Sequence, residues 1–177
     1  MTWAMLVDGW ALAEQGYPEE GIVQMRQALL DWRATGARFA QPYFIGLLAE
    51  AYRKAGHIEA GLSSIAEALA LVEENGEHMY EAELYRLKGA LLLQQHSDNQ
   101  AEADTCFHHA LDIARSQQAK SLELRAATSL AQLWQQQGKR QEAYDLLAPV
   151  YGWFTEGFNT ADLQDAKALL NPSVNQP

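Results

Sequence analysis

Residues 41–76 read QPYFIGLLAEAYRKAGHIEAGLSSIAEALALVEENG and divide into two helical halves at Gly56. Pro42 stands near the start of the first half, where the N–H that proline lacks has no partner in the helix. Asn75-Gly76 ends the second half with residues that adopt the left-handed conformation of a helix stop. Between these points Leu62, Ile65, Leu69 and Val72 recur at spacings of three and four, the stripe that a helix buries on one face. The stretch therefore predicts a helix over about 41–55, a glycine turn, and a second helix over about 58–74.

The pattern extends in both directions on a beat of about forty residues. Gly9, Ala49, Gly89 and Ala131 recur in step, as do Gly21, Gly61, Ala103 and Ala143, and as do Ala28, Ala68, Ala110 and Val150. Small residues on such a beat mark close helix crossings, so the chain reads as a stack of helix pairs. The pairs fall at about 2–35, 41–75, 78–117 and 119–155. Thr35-Gly36 closes the first pair and Asn75-Gly76 the second. The third pair carries two extra residues in its inner turn, where Ser97 and Gln100 have the spacing of a capping box. After Gly157, Asn159-Thr160 is placed to cap a last helix over about 160–170, and 172–177 reads as a disordered tail.

Composition agrees with an all-α chain. Ala, Leu, Gln, Glu and Arg dominate the 177 residues, 48% are hydrophobic, and Val, Ile and Thr are sparse. The length suffices for one domain with a sizeable core. The formal net charge of −10 disfavours nucleic acid, which demands clustered Lys and Arg, and is otherwise the solvated acidic surface of a soluble protein. A single cysteine, Cys106, excludes an internal disulfide and points to a reducing cytoplasm. No apolar run is long enough to span a bilayer, so no membrane partner is expected.

These residues resemble the tetratricopeptide repeat (TPR), a helix-turn-helix unit with a small residue and an aromatic on its first helix and a small-large-small pattern on its second. The second repeat carries Leu48-Ala49, Tyr52, Gly56, Gly61, Ile65 and Ala68; the fourth carries Leu130-Ala131, Trp134, Gly138, Ala143 and Leu147. The first fits through Gly9, Leu12, Gly16, Gly21, Met25 and Ala28, and the third through Tyr85, Gly89, Leu92, Ala103, Phe107 and Ala110. The usual period is about thirty-four residues, so the longer beat implies longer helices or links. That variant is similar to the C-terminal helical regions of large bacterial signal-transduction ATPases, including those joined to nucleotide cyclases or transcription activators. The resemblance implies a right-handed α-α superhelix of four helix pairs plus a capping helix, and a regulatory role in binding a protein or peptide.

The chemistry of catalysis is thinly represented. There is no G-x-x-x-x-G-K-[ST] loop, no G-x-S-x-G elbow and no H-E-x-x-H helix, so no enzyme and no cofactor is expected. His108 and His109 point about 100° apart on a helix and cannot chelate together. Cys106 and His109 share a face but supply two ligands, fewer than a structural metal site needs, so no metal is expected. A small-molecule binder or hydrolase using His or acidic groups is the remaining alternative of that class.

A stack of this kind lines its concave side with the first helix of each pair. The groove-facing positions are then Trp3, Leu6 and Trp10; Tyr43, Glu50 and Arg53; Glu83 and Arg86; and Arg125, Thr128 and Gln132. Three arginines with aromatics at one end suit a peptide carrying acidic and apolar groups. Local pairing explains two of the arginines equally well, because Glu50 and Glu83 each lie three residues before Arg53 and Arg86. On the groove reading Arg86→Ala is expected to leave melting nearly unchanged and to weaken a ligand, whereas Gly89→Leu is expected to collapse the fold. Trp3, Leu6 and Trp10, with Trp153, Phe154 and Phe158 at the far end, would leave large apolar groups in water, so homodimerisation through the ends is the second functional reading.

Overall fold

A computed structural model describes residues 2–171, Thr2 by its backbone alone. The described residues form nine α-helices and no strand: α1 (Thr2–Glu14), α2 (Pro18–Ala34), α3 (Gln41–Ala55), α4 (Ile58–Asn75), α5 (Glu81–Gln95), α6 (Gln100–Ser116), α7 (Lys120–Gln136), α8 (Arg140–Tyr151) and α9 (Ala161–Leu170). Short 3-10 turns at His78–Tyr80 and Ser97–Asn99 precede α5 and α6. The chain is a right-handed superhelix of four antiparallel pairs, α1/α2 to α7/α8, closed by α9. The expected tail at 172–177 lies outside the described residues.

The small residues of the beat are the crossing points. A Cβ on Gly21 would overlap the Gly9 carbonyl oxygen, and one on Gly89 would sit 2.6 Å from Phe107 Cε1. At Ala49, Ala68, Ala103, Ala110 and Ala131 exposure falls to 0%, so no larger side chain fits without displacing a neighbour. The apolar stripes meet in a continuous core. Phe44, Ile45, Ile65 and Leu84 fill its first half, Phe107, Leu111, Leu124 and Leu130 its second, and Leu62 touches both.

Stops between the pairs follow the same beat with one change of residue. Gly36 and Gly76 take positive φ at the ends of the first two pairs. The equivalent position after the third pair is Gln118, which adopts φ 55°, a left-handed conformation that costs a side-chain-bearing residue about 1–2 kcal/mol.

Two local expectations are corrected. The capping box at Ser97 and Gln100 does not form, because the 3-10 turn places Ser97 before the helix begins. The Ser97 hydroxyl turns to Asp98, and Gln100 Oε1 instead accepts from Gln137 Nε2 at 3.0 Å. Helix α8 ends at Tyr151 rather than near 155. Pro149 removes an N–H from its last turn, and the chain bends so that Phe154 packs on the core ahead of α9.

Polar bonds stitch successive repeats. His57 pairs with Glu19 at 2.8 Å, Gln95 donates to Glu59 at 2.7 Å, and Gln135 donates to the Leu169 carbonyl at 3.0 Å. Arg33–Glu67 and Lys54–Glu14 are further ion pairs of this kind. Most lie on the surface, where each pair contributes little alone, so apolar crossings hold the stack.

Candidate interaction groove

Helices α1, α3, α5, α7 and α9 all contribute to one concave groove of about 720 Å³. Registers of the beat build its wall. Trp10, Glu50, Ala90 and Gln132 stand at equivalent points on four successive helices, and Tyr43, Glu83 and Arg125 form a second row one face-width away. Spacings of three and four along each helix bring these rows to one side.

The expected groove residues divide. Trp10, Tyr43, Glu50, Arg53, Glu83, Arg86, Arg125, Thr128 and Gln132 line the groove. Leu6 does not: it is 0% exposed and belongs to the core, so its assignment to a binding surface is corrected. Trp3 also lies outside the lining. Its ring turns to the end of the stack, edge-on to Phe44 at 4.8 Å and to Trp32 at 5.7 Å, and stacked on Phe39 at 6.5 Å.

A buried ion network occupies the middle of the groove. Glu83, 1% exposed, accepts from Arg86 through Nε at 2.9 Å and through Nη2 at 2.7 Å, and from Arg125 Nη1 at 3.5 Å. Arg125 Nε donates to Asp162 of α9 at 2.8 Å, so a single network joins α5, α7 and α9. Burial works against the charge on Arg86, but the adjacent Glu83 carboxylate outweighs it and holds the guanidinium above its ordinary value. The same balance of burial against Glu83 and Asp162 raises Arg125. The forked Arg86–Glu83 pair is thus a buried structural element rather than a surface pairing of neighbours on a helix.

Tyr80 is a lining residue that helix periodicity did not reveal, because it sits in a 3-10 turn before α5. Its ring takes the space over Gly46, where a Cβ would meet Tyr80 Cε1 at 3.0 Å, and it meets Tyr43 edge-on at 4.7 Å. Burial first, then the Glu83 and Glu50 carboxylates, push its phenol far above the ordinary range, so it stays a neutral hydroxyl. The sequence signal was Gly46 itself, a missing side chain in a row otherwise filled. Glu14, Ser129, Asp162 and Asp165 also line the groove without having been singled out. Three lining residues carry buried polar atoms that meet no protein partner: Trp10 Nε1, Arg53 Nε and Thr128 Oγ1.

The aromatics expected at the ends are distributed unevenly. Trp153 and Phe158 are 58% and 46% exposed, while Phe154 packs on the core and Trp10 belongs to the groove. Cys106 is buried, burial pushes its thiol up, and the His109 ring lies edge-on to Tyr85 at 4.2 Å. Among the described residues no group of three or more His, Cys, Asp or Glu side chains could hold a metal ion. No described helix is long and apolar enough to cross a membrane.

No family model matches the chain. It is 29% identical over 130 residues, 73% of its length, to an uncharacterized protein of Rhizobium meliloti (strain 1021), and spans 12% of the length of that curated relative. Among solved structures it is similar to the nearly identical TPR-like repeats named for a kinesin light chain of Podosopora anserina, with a TM-score of 0.67 at 17% identity over 94% of this chain and 82% of that one. A single-substitution variant of those repeats gives a TM-score of 0.69 at 15% identity with the same coverage. Likeness at that identity speaks for architecture, and the chain has a TPR-like repeat fold.

Proposed function

We propose that the chain is a non-catalytic interaction scaffold that binds a peptide or protein segment in its concave groove, as a regulatory part of a signalling system. One observation carries this: the first helices of the four pairs, joined by α9, turn polar and aromatic side chains into a single open groove, while most of their apolar residues lie in the core. A rigid row of this kind presents side chains without reorganising, which is what recognition of an extended segment needs. The forty-residue beat, similar to that of signal-transduction ATPase tails, and a match to a small part of a long bacterial protein both support a regulatory portion of a larger system.

The test is selection of short displayed peptides on the intact chain. Ala90→Trp, in the middle of the groove wall, is expected to weaken the selected peptides roughly tenfold or more, while Val23→Ser, exposed on α2 and outside the groove, leaves them unchanged. Peptides indifferent to Ala90→Trp would sink the groove reading.

A second reading is homodimerisation through the ends, favoured by the exposed stack of Trp3 on Phe39 and by exposed Trp153 and Phe158. Light scattering decides it, since a strict monomer at high concentration removes it.

A further inference from the structure

Val23 and Leu30 of α2 are 70% and 60% exposed, and neither lines the groove. They stand seven residues apart, two helical turns, and so share one side of the helix. The equivalent positions of the later pairs are exposed as well but carry no large apolar group: Ser63 and Ala70, Thr105 and Asp112, Asp145 and Gly152. Stacking therefore does not require Val23 and Leu30 to be apolar. Two bridges run from α2 to α4, Glu19 to His57 at one end and Arg33 to Glu67 toward the other, so the helices lie side by side in the same direction. The exposed side of α4 is small and uncharged at Ser63, Ala66 and Ala70, and with Val23 and Leu30 it makes an apolar shelf.

Carboxylates border the shelf on both flanks. Glu20 and Asp31 lie eleven residues apart on the flank of α2 turned away from Arg33. Glu59 and Glu73 lie fourteen apart on the flank of α4 turned to the third pair, where Gln95 donates to Glu59 at 2.7 Å. All four are exposed, and among the described residues none has a cationic partner. Against them stands Arg26, which also has no ion pair among the described residues.

We infer that this shelf docks an amphipathic helix of a partner protein whose apolar stripe is flanked on both sides by Lys or Arg. A helix satisfies its own backbone, whereas an extended segment would press unmatched N–H and C=O groups onto apolar side chains. A helix also returns to the same face every seven residues, the step that separates Val23 from Leu30 and Ser63 from Ala70. Charge sets the flanks. Four carboxylates against one arginine favour a basic partner, and the long stems of Lys and Arg cover apolar surface while carrying charge outward. The net charge of −10 opposes a second copy of the chain or an anionic lipid surface in the same place.

The probe is a displayed library of helix-forming peptides about five turns long. Selection on the full chain, with depletion on the Leu30→Asp chain, is expected to enrich helices with Lys or Arg beside an apolar stripe. Leu30→Asp and Ala70→Glu change exposed positions and should leave the circular-dichroism melt in place, and each should weaken a selected helix roughly tenfold or more. Glu20→Gln combined with Glu73→Gln should weaken it too and flatten its salt dependence. Thr105→Asp, the same register in the third pair, and Ala90→Trp in the groove should change nothing, so shelf and groove are tested independently. The inference is overturned if selection yields no helix that loses binding on the Leu30→Asp chain, if binding ignores Ala70→Glu, or if acidic flanks are enriched. A chain that dimerises alone and becomes monomeric with Leu30→Asp also overturns it, by making the shelf a self-interface.

Discussion

Phe107 of α6 lies against the backbone of Gly89 in α5, so closely that a Cβ at position 89 would stand 2.6 Å from the ring's Cε1 and 2.9 Å from Cδ1. Phe107 is 1% exposed and packs in the second half of the core. Gly89→Leu is therefore expected to prevent the third pair from closing, and Gly89→Ala to lower stability by about 1–3 kcal/mol, the usual cost of overpacking. Phe107→Leu placed with Gly89→Ala should restore part of the loss, a sign of direct contact. Circular-dichroism melts of the singles and the double settle it; an additive double variant would rule out the crossing.

Gln118 occupies the place that Gly36 and Gly76 hold in the first two pairs, and shares their left-handed backbone. A glycine there removes the steric cost of about 1–2 kcal/mol and gives back about 0.5–1 kcal/mol in unfolded-chain entropy. Gln118→Gly should thus stabilise by about 0.5–1 kcal/mol, and Gly36→Gln, the reciprocal change, should destabilise by a similar amount. Both appear as opposite shifts of a few degrees in Tm. An unchanged Tm for both would mean the turns relax without cost.

The contrast between those positions shows what the amino-acid order discloses. Crossing points were legible because Gly9, Gly21, Gly61 and Gly89 must be small wherever helices touch, and that constraint repeats with the architecture. Positions facing the groove could be placed by register for the same reason. Leu6 and Trp3 departed from it: Leu6 is 0% exposed in the core, and Trp3 joins an aromatic cluster with Trp32, Phe39 and Phe44. Helix register alone did not reach Tyr80, which sits in a 3-10 turn, and its one trace in the sequence is Gly46. Asp162 was invisible as a groove residue because its role depends on α9 folding back beside α7, a tertiary event no local spacing encodes.

Glu123, buried at the start of α7, accepts from Lys120 at 2.7 Å and Arg115 at 3.0 Å. Burial alone would raise its carboxyl, but these two cations outweigh it and hold it below the ordinary carboxylate range. A carboxyl lowered in the native state contributes stability that is complete above its unfolded value and is lost as pH falls through its native value. Glu123→Gln should therefore flatten the acid limb of the stability curve while changing little of its slope near neutral pH. Urea melts at stepped pH check this, and an unchanged acid limb would place the sensitivity elsewhere.

Burial reverses the expectation that Arg86→Ala leaves melting unchanged. Glu83 is 1% exposed and takes both of its short hydrogen bonds from Arg86, while Arg125 reaches it at 3.5 Å. Removing Arg86 strands a buried carboxylate, a change that typically costs about 3–5 kcal/mol. Glu83→Gln leaves the Arg86 and Arg125 cations facing one another without their shared anion, and should cost a comparable amount. Combining Glu83→Gln with Arg86→Ala removes both charged members of the forked pair, so the double variant should be markedly less destabilised than the sum of the singles, with a coupling of about 1–3 kcal/mol. Arg53→Gln, whose ion-pair contact with Glu50 is 3.9 Å long, should shift the same melts by less than about 1 kcal/mol. Chemical denaturation of the four variants measures all of these, and a coupling near zero would mean that Glu83 and Arg86 act independently.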